Sequence, residues 1–217
     1  MSYKPDILVI PECEHPDKLL FDKDIPSPKN ILWFGENRSK GLGVFSYNDF
    51  TIKTLPCHTD NYKLIVPIAV KSPGLNFTLI AVWANNPNDP DGPYVTQVWK
   101  AIHHYKTLLS KRKIILAGDF NSNTIWDKPR REWNHSTVVE VLQKKGIESV
   151  YHRHFNQIQG KEKHPTLFMY RHFDKPYHLD YCFASKQLLE KLKSVIIGDF
   201  DFWKPYSDHV PIITTFS

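Results

Sequence analysis

Four stretches of this chain share one form: a short apolar run that meets acidic or amide side chains at one end. They are Pro5-Asp-Ile-Leu-Val-Ile-Pro-Glu12, Ile114-Ile-Leu-Ala-Gly-Asp119-Phe-Asn121, His178-Leu-Asp180-Tyr-Cys-Phe-Ala-Ser and Tyr206-Ser-Asp208-His209-Val-Pro-Ile. A strand leaving the core is a rigid mount, and polar groups at its mouth can converge on one ligand. Carboxylates gathered around one point repel one another unless a cation sits among them. Hard oxygen donors of this kind suit Mg²⁺ or Mn²⁺. Taken singly, each motif also has an ordinary reading. Gly118-Asp119-Phe120-Asn121 is built from residues that turns favour, Glu12 could end a strand facing water, and Asp208-His209 could be loop residues before the last strand. Their joint occurrence, each beside a strand, favours a site.

The rest of the chain alternates apolar runs and turn residues with no linker, repeat or low-complexity segment. Runs rich in Val, Ile, Leu, Phe or Tyr predict strands at 6–11, 30–34, 43–47, 64–70, 77–83, 113–117, 166–170, 178–184, 195–199 and 210–215. Apolar residues at three- and four-residue intervals from Val95 to Leu109, with Pro93 near the start, predict an amphipathic helix. A second helix is expected over 136–145 with Gly146 as its stop, a third over 186–193, and a weaker one after Pro16. Strands outnumber helices, and the helices interrupt rather than alternate. That pattern suggests two sheets packed face to face with helices outside.

With 217 residues, 41% of them hydrophobic, the chain fits one globular domain spanning 1–217. The net charge of +5 would help attract a phosphate-bearing partner without identifying it, because the basic residues are scattered. Cys13, Cys57 and Cys182 are odd in number and far apart, which excludes a disulfide framework and points to a reducing compartment, the cytoplasm. No run has the length of a membrane span and no signal peptide is visible, so the three glycosylation sequons carry little weight. The paired spacing of a zinc site is absent among the eleven histidines, most of which are expected at the surface or in packing. His178 and His164 are candidates for lining a groove.

The order of the four motifs resembles the endonuclease/exonuclease/phosphatase superfamily, which includes AP endonucleases, pancreatic-type DNases, deadenylases, inositol polyphosphate phosphatases and sphingomyelinases. The match runs from Asp6 to Pro211, and the pairing of Gly-Asp-Phe-Asn with Ser-Asp-His is its most specific part. Gly41-Leu-Gly-Val-Phe-Ser46 and Thr166 add smaller matches. The resemblance implies a four-layered α/β sandwich, two mainly antiparallel sheets flanked by helices. It implies that Glu12 binds Mg²⁺ or Mn²⁺, with Asp208 contributing to the same ion or a second one, that Asp119 orients or deprotonates the attacking water, and that Asn121 helps to hold that water or a phosphate oxygen. His209, steadied by Asp180, would hydrogen-bond the scissile phosphate; Thr166 and His178 would lie along the substrate groove.

Two departures from the family pattern stand out. Where many members place a Tyr or His after the strand at 77–82, this chain has Trp83-Ala84-Asn85-Asn86. An indole N–H donates one hydrogen bond and is no acid at neutral pH. Asn85 or Asn86 is therefore expected to contact the phosphate beside Trp83, which can also be read as a core aromatic. The second departure is at the start, where the family's first strand and helix have no counterpart. An N-terminally shortened domain is expected, with an exposed sheet edge open to self-association. The expected activity is metal-dependent hydrolysis of phosphate esters, with nucleic acid as the first substrate class. Alternatives are a phosphatase acting on a small or lipid phosphate, and an impaired relative that binds nucleic acid or protein.

Overall fold

The computed structural model describes residues 3–22, 25–85 and 93–217. Its strands in chain order are β1 (Ile7–Cys13), β2 (Asn30–Asn37), β3 (Lys40–Ser46), β4 (Thr51–Thr54), β5 (Ile65–Ser72), β6 (Leu75–Trp83), β7 (Ile114–Asp119), β8 (Ile147–Ser149), β9 (Leu167–Phe168), β10 (Pro176–Tyr177), β11 (Asp180–Ser185), β12 (Leu192–Ile197) and β13 (Ile212–Phe216). Helices are α1 (Val95–His104), α2 (His135–Gln143), α3 (Val150–Phe155), α4 (Lys186–Leu189) and α5 (Phe200–Trp203).

One sheet has six strands in the order β4-β5-β6-β7-β11-β8, all antiparallel except the β6–β7 pair. Period-two alternation sorts its side chains onto two faces. Ile80 and Val82 of β6, Leu116 of β7 and Tyr181 and Phe183 of β11 turn toward α1 and α2, where they meet Val98, Ile102, Val138 and Leu142. Leu79, Ala81 and Trp83 turn the other way, onto Leu42 and Val44 of the three-stranded sheet β1-β3-β2. Each fully buried aliphatic side chain in these layers contributes roughly 1.5–3 kcal/mol. The β12–β13 pair packs beside that second sheet, against Cys182 and Ala184 of β11 and Val150 of α3. The result is the expected four-layered α/β sandwich.

The second layer is thin at one place. β1 rests on β6 and β7, whereas β13 rests on β11, the next strand along. Among the described residues no ladder joins β1 to β13. Beneath this interval Ile115 and Ala117 of central strand β7 stay only partly buried, although they contribute to the apolar clusters on both sides.

Several expectations are corrected. The strand at 166–170 shrinks to Leu167–Phe168, because Tyr170 and Arg171 take φ of 58° and 60° and turn the chain. The helix over 186–193 stops at Leu189, and Leu192–Ile197 pairs with β13 instead. Helix α1 ends at His104, with a separate 3₁₀ turn at Leu108–Ser110; only a 3₁₀ turn follows His15. Strands β4, β8 and β10 and helices α3 and α5 were not foreseen. They are two to six residues long, too short to show a period.

Candidate active site

Three adjacent strand ends place the deepest part of the site. Register puts Trp83 of β6 opposite Asp119 of β7, and Asp180 of β11 opposite Asp119 on its other side. Gly118 makes the close approach possible: a Cβ there would lie 1.9 Å from the Val82 carbonyl oxygen, and its φ of +136° suits glycine. The Asp119 carboxylate is 3% exposed. It accepts hydrogen bonds from the backbone N–H and the side-chain amide of Asn121, both at 2.7 Å. Asn121 also donates to the Ala84 carbonyl oxygen at 3.2 Å. It takes a left-handed φ of 45°, which asparagine tolerates better than most residues.

A second unit faces this one. His209 Nδ1 lies 2.8 Å from Asp180 Oδ2, with the imidazole 32% and the carboxylate 17% exposed. The His209 segment is fixed by a bridge to Leu167, by the Val210 N–H donating to the Thr166 carbonyl oxygen, and by the Phe168 N–H donating to the Asp208 backbone carbonyl oxygen. Thr166 is fully buried, and its hydroxyl oxygen accepts from the Leu179 and Asp180 amides. His178 is 4% exposed and its Nδ1 bonds the His164 carbonyl oxygen. Thr166 and His178 therefore sit behind the groove rather than along it: the Leu179 and Asp180 amides use the Thr166 hydroxyl, and the His164 carbonyl uses His178 Nδ1.

Glu12 stands apart on the rim. A bulge interrupts β1 between Ile10 and Cys13, and Glu12 takes φ of 57° there, a conformation that costs a non-glycine residue about 1–3 kcal/mol. Its side chain is 56% exposed and paired with Lys40. Trp83 is 4% exposed and packs in the core between the sheets, so the core reading of this residue is the one observed, although its edge also borders a cavity. Asn85 lies beside that cavity, and Asn86 falls outside the described residues.

Burial and the neighbouring Asp180 carboxylate push the Asp119 carboxyl up to about 8, partly opposed by His209 and the Asn121 amide, with Glu12 adding to the rise. For His209, burial acts downward, but the Asp180 charge and hydrogen bond outweigh it and raise the imidazole to about 10. Among the described residues, no three His, Cys, Asp or Glu side chains are gathered closely enough to enclose a metal unaided. The residues fit an ion that takes one or two carboxylates and keeps the rest of its shell as water and substrate oxygen, as Mg²⁺ does. Every carboxylate here is a hard donor, and a nearby cation would offset both the burial and the Asp180 charge that lift Asp119.

Comparison of the structure with solved proteins gives three examples of its likeness. It matches an AP endonuclease from Archaeoglobus fulgidus over 100% of this chain and 90% of that one, with a TM-score of 0.65 and 16% identity. An endonuclease/exonuclease/phosphatase family protein from Leptotrichia buccalis matches over 100% and 88%, with a TM-score of 0.61 and 17% identity. The 3′ phosphatase NExo from Neisseria, solved bound to a product DNA hairpin, matches over 98% and 89%, with a TM-score of 0.60 and 16% identity. The chain has the endonuclease/exonuclease/phosphatase fold. At these identities the likeness is one of architecture. No protein-family model and no curated protein matches the sequence.

On this endonuclease/exonuclease/phosphatase scaffold two cavities border site residues, although the site's acids line neither. One, of about 430 Å³, is lined by Lys40, Tyr62, Lys63, Trp83, Asn85 and Gln97 among others. The other, of about 390 Å³, begins at Asn121 and is walled by Tyr94, Trp126, Leu167, Met169 and Leu179, with Lys128 and Arg131 also lining it. Lys40, Tyr94, Trp126 and Arg131 escaped the sequence reading, because nothing local distinguishes a rim cation or aromatic from an ordinary surface one.

Proposed function

We propose that this chain is a divalent-metal-dependent phosphodiesterase that cleaves nucleic acid. The observation that carries the proposal is the opposition of a buried Asp119–Asn121 unit to a His209–Asp180 pair. Asp119, held by both hydrogen bonds from Asn121, orients the attacking water and takes its proton. Burial and Asp180 make it more basic than an ordinary carboxylate, and a bound cation would draw that basicity back toward the range in which it is ionised at neutral pH. As water oxygen bonds to phosphorus, the P–O bond on the far side breaks and the leaving oxygen departs in line. His209 stays protonated at neutral pH and donates a charge-assisted hydrogen bond to an equatorial phosphate oxygen. Asp180 fixes the tautomer and orientation of that imidazole. Glu12 and Asp208 would hold the cation, which when bound supplies neutralisation of phosphate charge.

Open cavities beside Asn121 and beside Trp83 and Asn85 leave room for a substrate larger than a terminal monoester. The exposed faces of Tyr94 and Trp126, 37% and 42% exposed, suit base stacking, and Lys128 and Arg131 suit phosphate. That the NExo structure holds a DNA hairpin is in keeping with this substrate class. The decisive assay offers plasmid, single-stranded DNA, RNA, a small phosphomonoester and a lipid phosphate, each with Mg²⁺, Mn²⁺ or excess EDTA. Cleavage of nucleic acid that stops on chelation is expected. Turnover of only the monoester or lipid would replace the nuclease reading, and full activity in EDTA would remove the metal.

A further inference from the structure

Behind the site lies a carboxylate that the proposed chemistry does not use. Glu162 belongs to the loop between α3 and β9, and its side chain is 5% exposed. Its Oε1 accepts from the Gly160 N–H at 2.8 Å and lies 2.9 Å from Nε2 of His152, itself 10% exposed. Its Oε2 accepts from the side-chain amide of Asn123 at 3.2 Å. A buried carboxylate is costly unless its oxygens are well matched, and here both are. Burial acts to raise its pKa, but His152 and the other donors bring it down to about 2, so the charge is kept.

Asn123 is the junction. Besides Glu162, its amide donates to the His178 carbonyl oxygen and to the Tyr181 hydroxyl oxygen, both at 3.1 Å. The Tyr181 hydroxyl is in turn 3.1 Å from the Ser122 carbonyl oxygen and 3.0 Å from that of His178. These bonds join segment 121–123, which begins with the water-holding Asn121, to segment 178–181, which carries the histidine-orienting Asp180. The same loop grips the second segment again where the His164 carbonyl oxygen accepts from His178 Nδ1 at 2.8 Å.

We propose that Glu162 is a positioning residue: by anchoring the Asn123 amide it sets the spacing between Asn121 and Asp180, and so between the groups that hold water and phosphate. The inference rests on the proposed phosphodiesterase reading for its effect on turnover, but not for its effect on geometry. Glu162→Gln keeps the shape and replaces one acceptor by a donor, so Asn123 or His152 must lose its partner. The expected outcome is a fall in kcat of about 10–100-fold, the usual cost of losing such a support, with KM within about threefold. The Asn121 side-chain amide and His209 imidazole resonances should move in the NMR spectrum of the uncomplexed protein. Glu148→Gln, which removes an exposed carboxylate paired with Arg153, should move neither.

A folded Glu162→Gln protein with wild-type kcat and unmoved Asn121 and His209 signals would overturn the proposal. So would a loss of kcat that tracks a lower melting temperature while both signals stay in place, since that is a purely structural role. If Glu162→Gln does not fold, Asn123→Ser removes the junction amide while leaving an oxygen to cap the Ile125 N–H, and the same signals decide. If the wild type cleaves no phosphate ester, the phosphodiesterase reading fails while the NMR measurement still tests the positioning.

Discussion

The two halves of the candidate site are built differently. Asp119, Asn121, Asp180 and His209 stand at the ends of central strands β7 and β11 or are bridged to β9, and their polar atoms are tied to one another or to backbone. Glu12 stands on edge strand β1, at a bulge, strained and half in solvent, with Lys40 as its partner. The first half is preorganised, with its geometry set before substrate arrives. The second is adjustable, as suits a cation that brings its own shell of water and phosphate. On the proposed reading, rigidity is concentrated where a proton would move and withheld where an ion would enter.

The sharpest way to break this contrast is to remove charge from the buried half. Asp119→Asn should lower turnover by about 10²–10⁴-fold, the usual contribution of a general base. It should also raise the melting temperature at neutral pH. The folded-state pKa of Asp119 lies above its ordinary value, so the carboxyl opposes folding increasingly as pH rises from about 4 to about 8, and the amide is free of that burden. His209→Ala should cost about 10²–10³-fold in kcat. Near-normal turnover in either variant, measured by steady-state kinetics, would show that the buried half is not the reacting half.

The rim should respond in metal dependence instead. For Glu12→Gln the Mg²⁺ concentration giving half-maximal rate should rise about 10–100-fold, with the rate largely recovered at saturation. Loss of kcat that saturating Mg²⁺ does not restore would place Glu12 with the rigid half.

His135 tests how far rigidity extends beneath the site. It is 1% exposed, its Nδ1 lies 2.8 Å from the Ser122 hydroxyl, and burial lowers its pKa to about 4. The unfolded chain therefore binds a proton that the native state refuses, and stability should fall as pH drops from about 6.5 to 4. The whole effect is roughly 3 kcal/mol. His135→Gln should flatten that segment of the stability curve relative to wild type, as read by urea denaturation across pH; parallel curves would show that the imidazole titrates freely.

Smaller effects belong to the surface. The Lys40–Glu12 pair is exposed at both ends, so it is worth at most about 1 kcal/mol. Lys40→Ala should therefore lower the half-maximal Mg²⁺ by no more than about fivefold, and a rise would mean that Lys40 assists the ion or substrate. Last, the unjoined edges of β1 and β13 are expected to promote weak, concentration-dependent association. Ile10→Lys, a charge at a 38% exposed position on the β1 edge, should reduce light scattering at high concentration. Equal scattering would remove that edge as the contact.

Local pattern made the main strands, the layering and the buried half of the site legible. Asp119 and Asn121 are two residues apart, and Asp208 and His209 are neighbours in the chain. A period of two in β6, β7 and β11 already says which residues face which layer. Pattern failed where a partner distant in the chain decides the outcome. The helix expected over 186–193 stops at Leu189, and the strand expected at 195–199 starts earlier, at Leu192, because β13 offers that segment a ladder. Trp83 was weighed as a phosphate contact and is buried between the sheets. Thr166 and His178 were expected along the groove and are buried behind it, Thr166 holding the Asp180 amide and His178 the His164 carbonyl. Nothing local marks Glu162, between Lys161 and Lys163, as a buried carboxylate, and only the fold brings Asn123 and His152 to it. The sequence determined which residues could do the chemistry, because strand period and turn chemistry act over a few residues. Tertiary structure decided which polar groups are buried, and so which become base, support or rim, because desolvation and hydrogen-bond matching depend on whatever the rest of the chain packs against them.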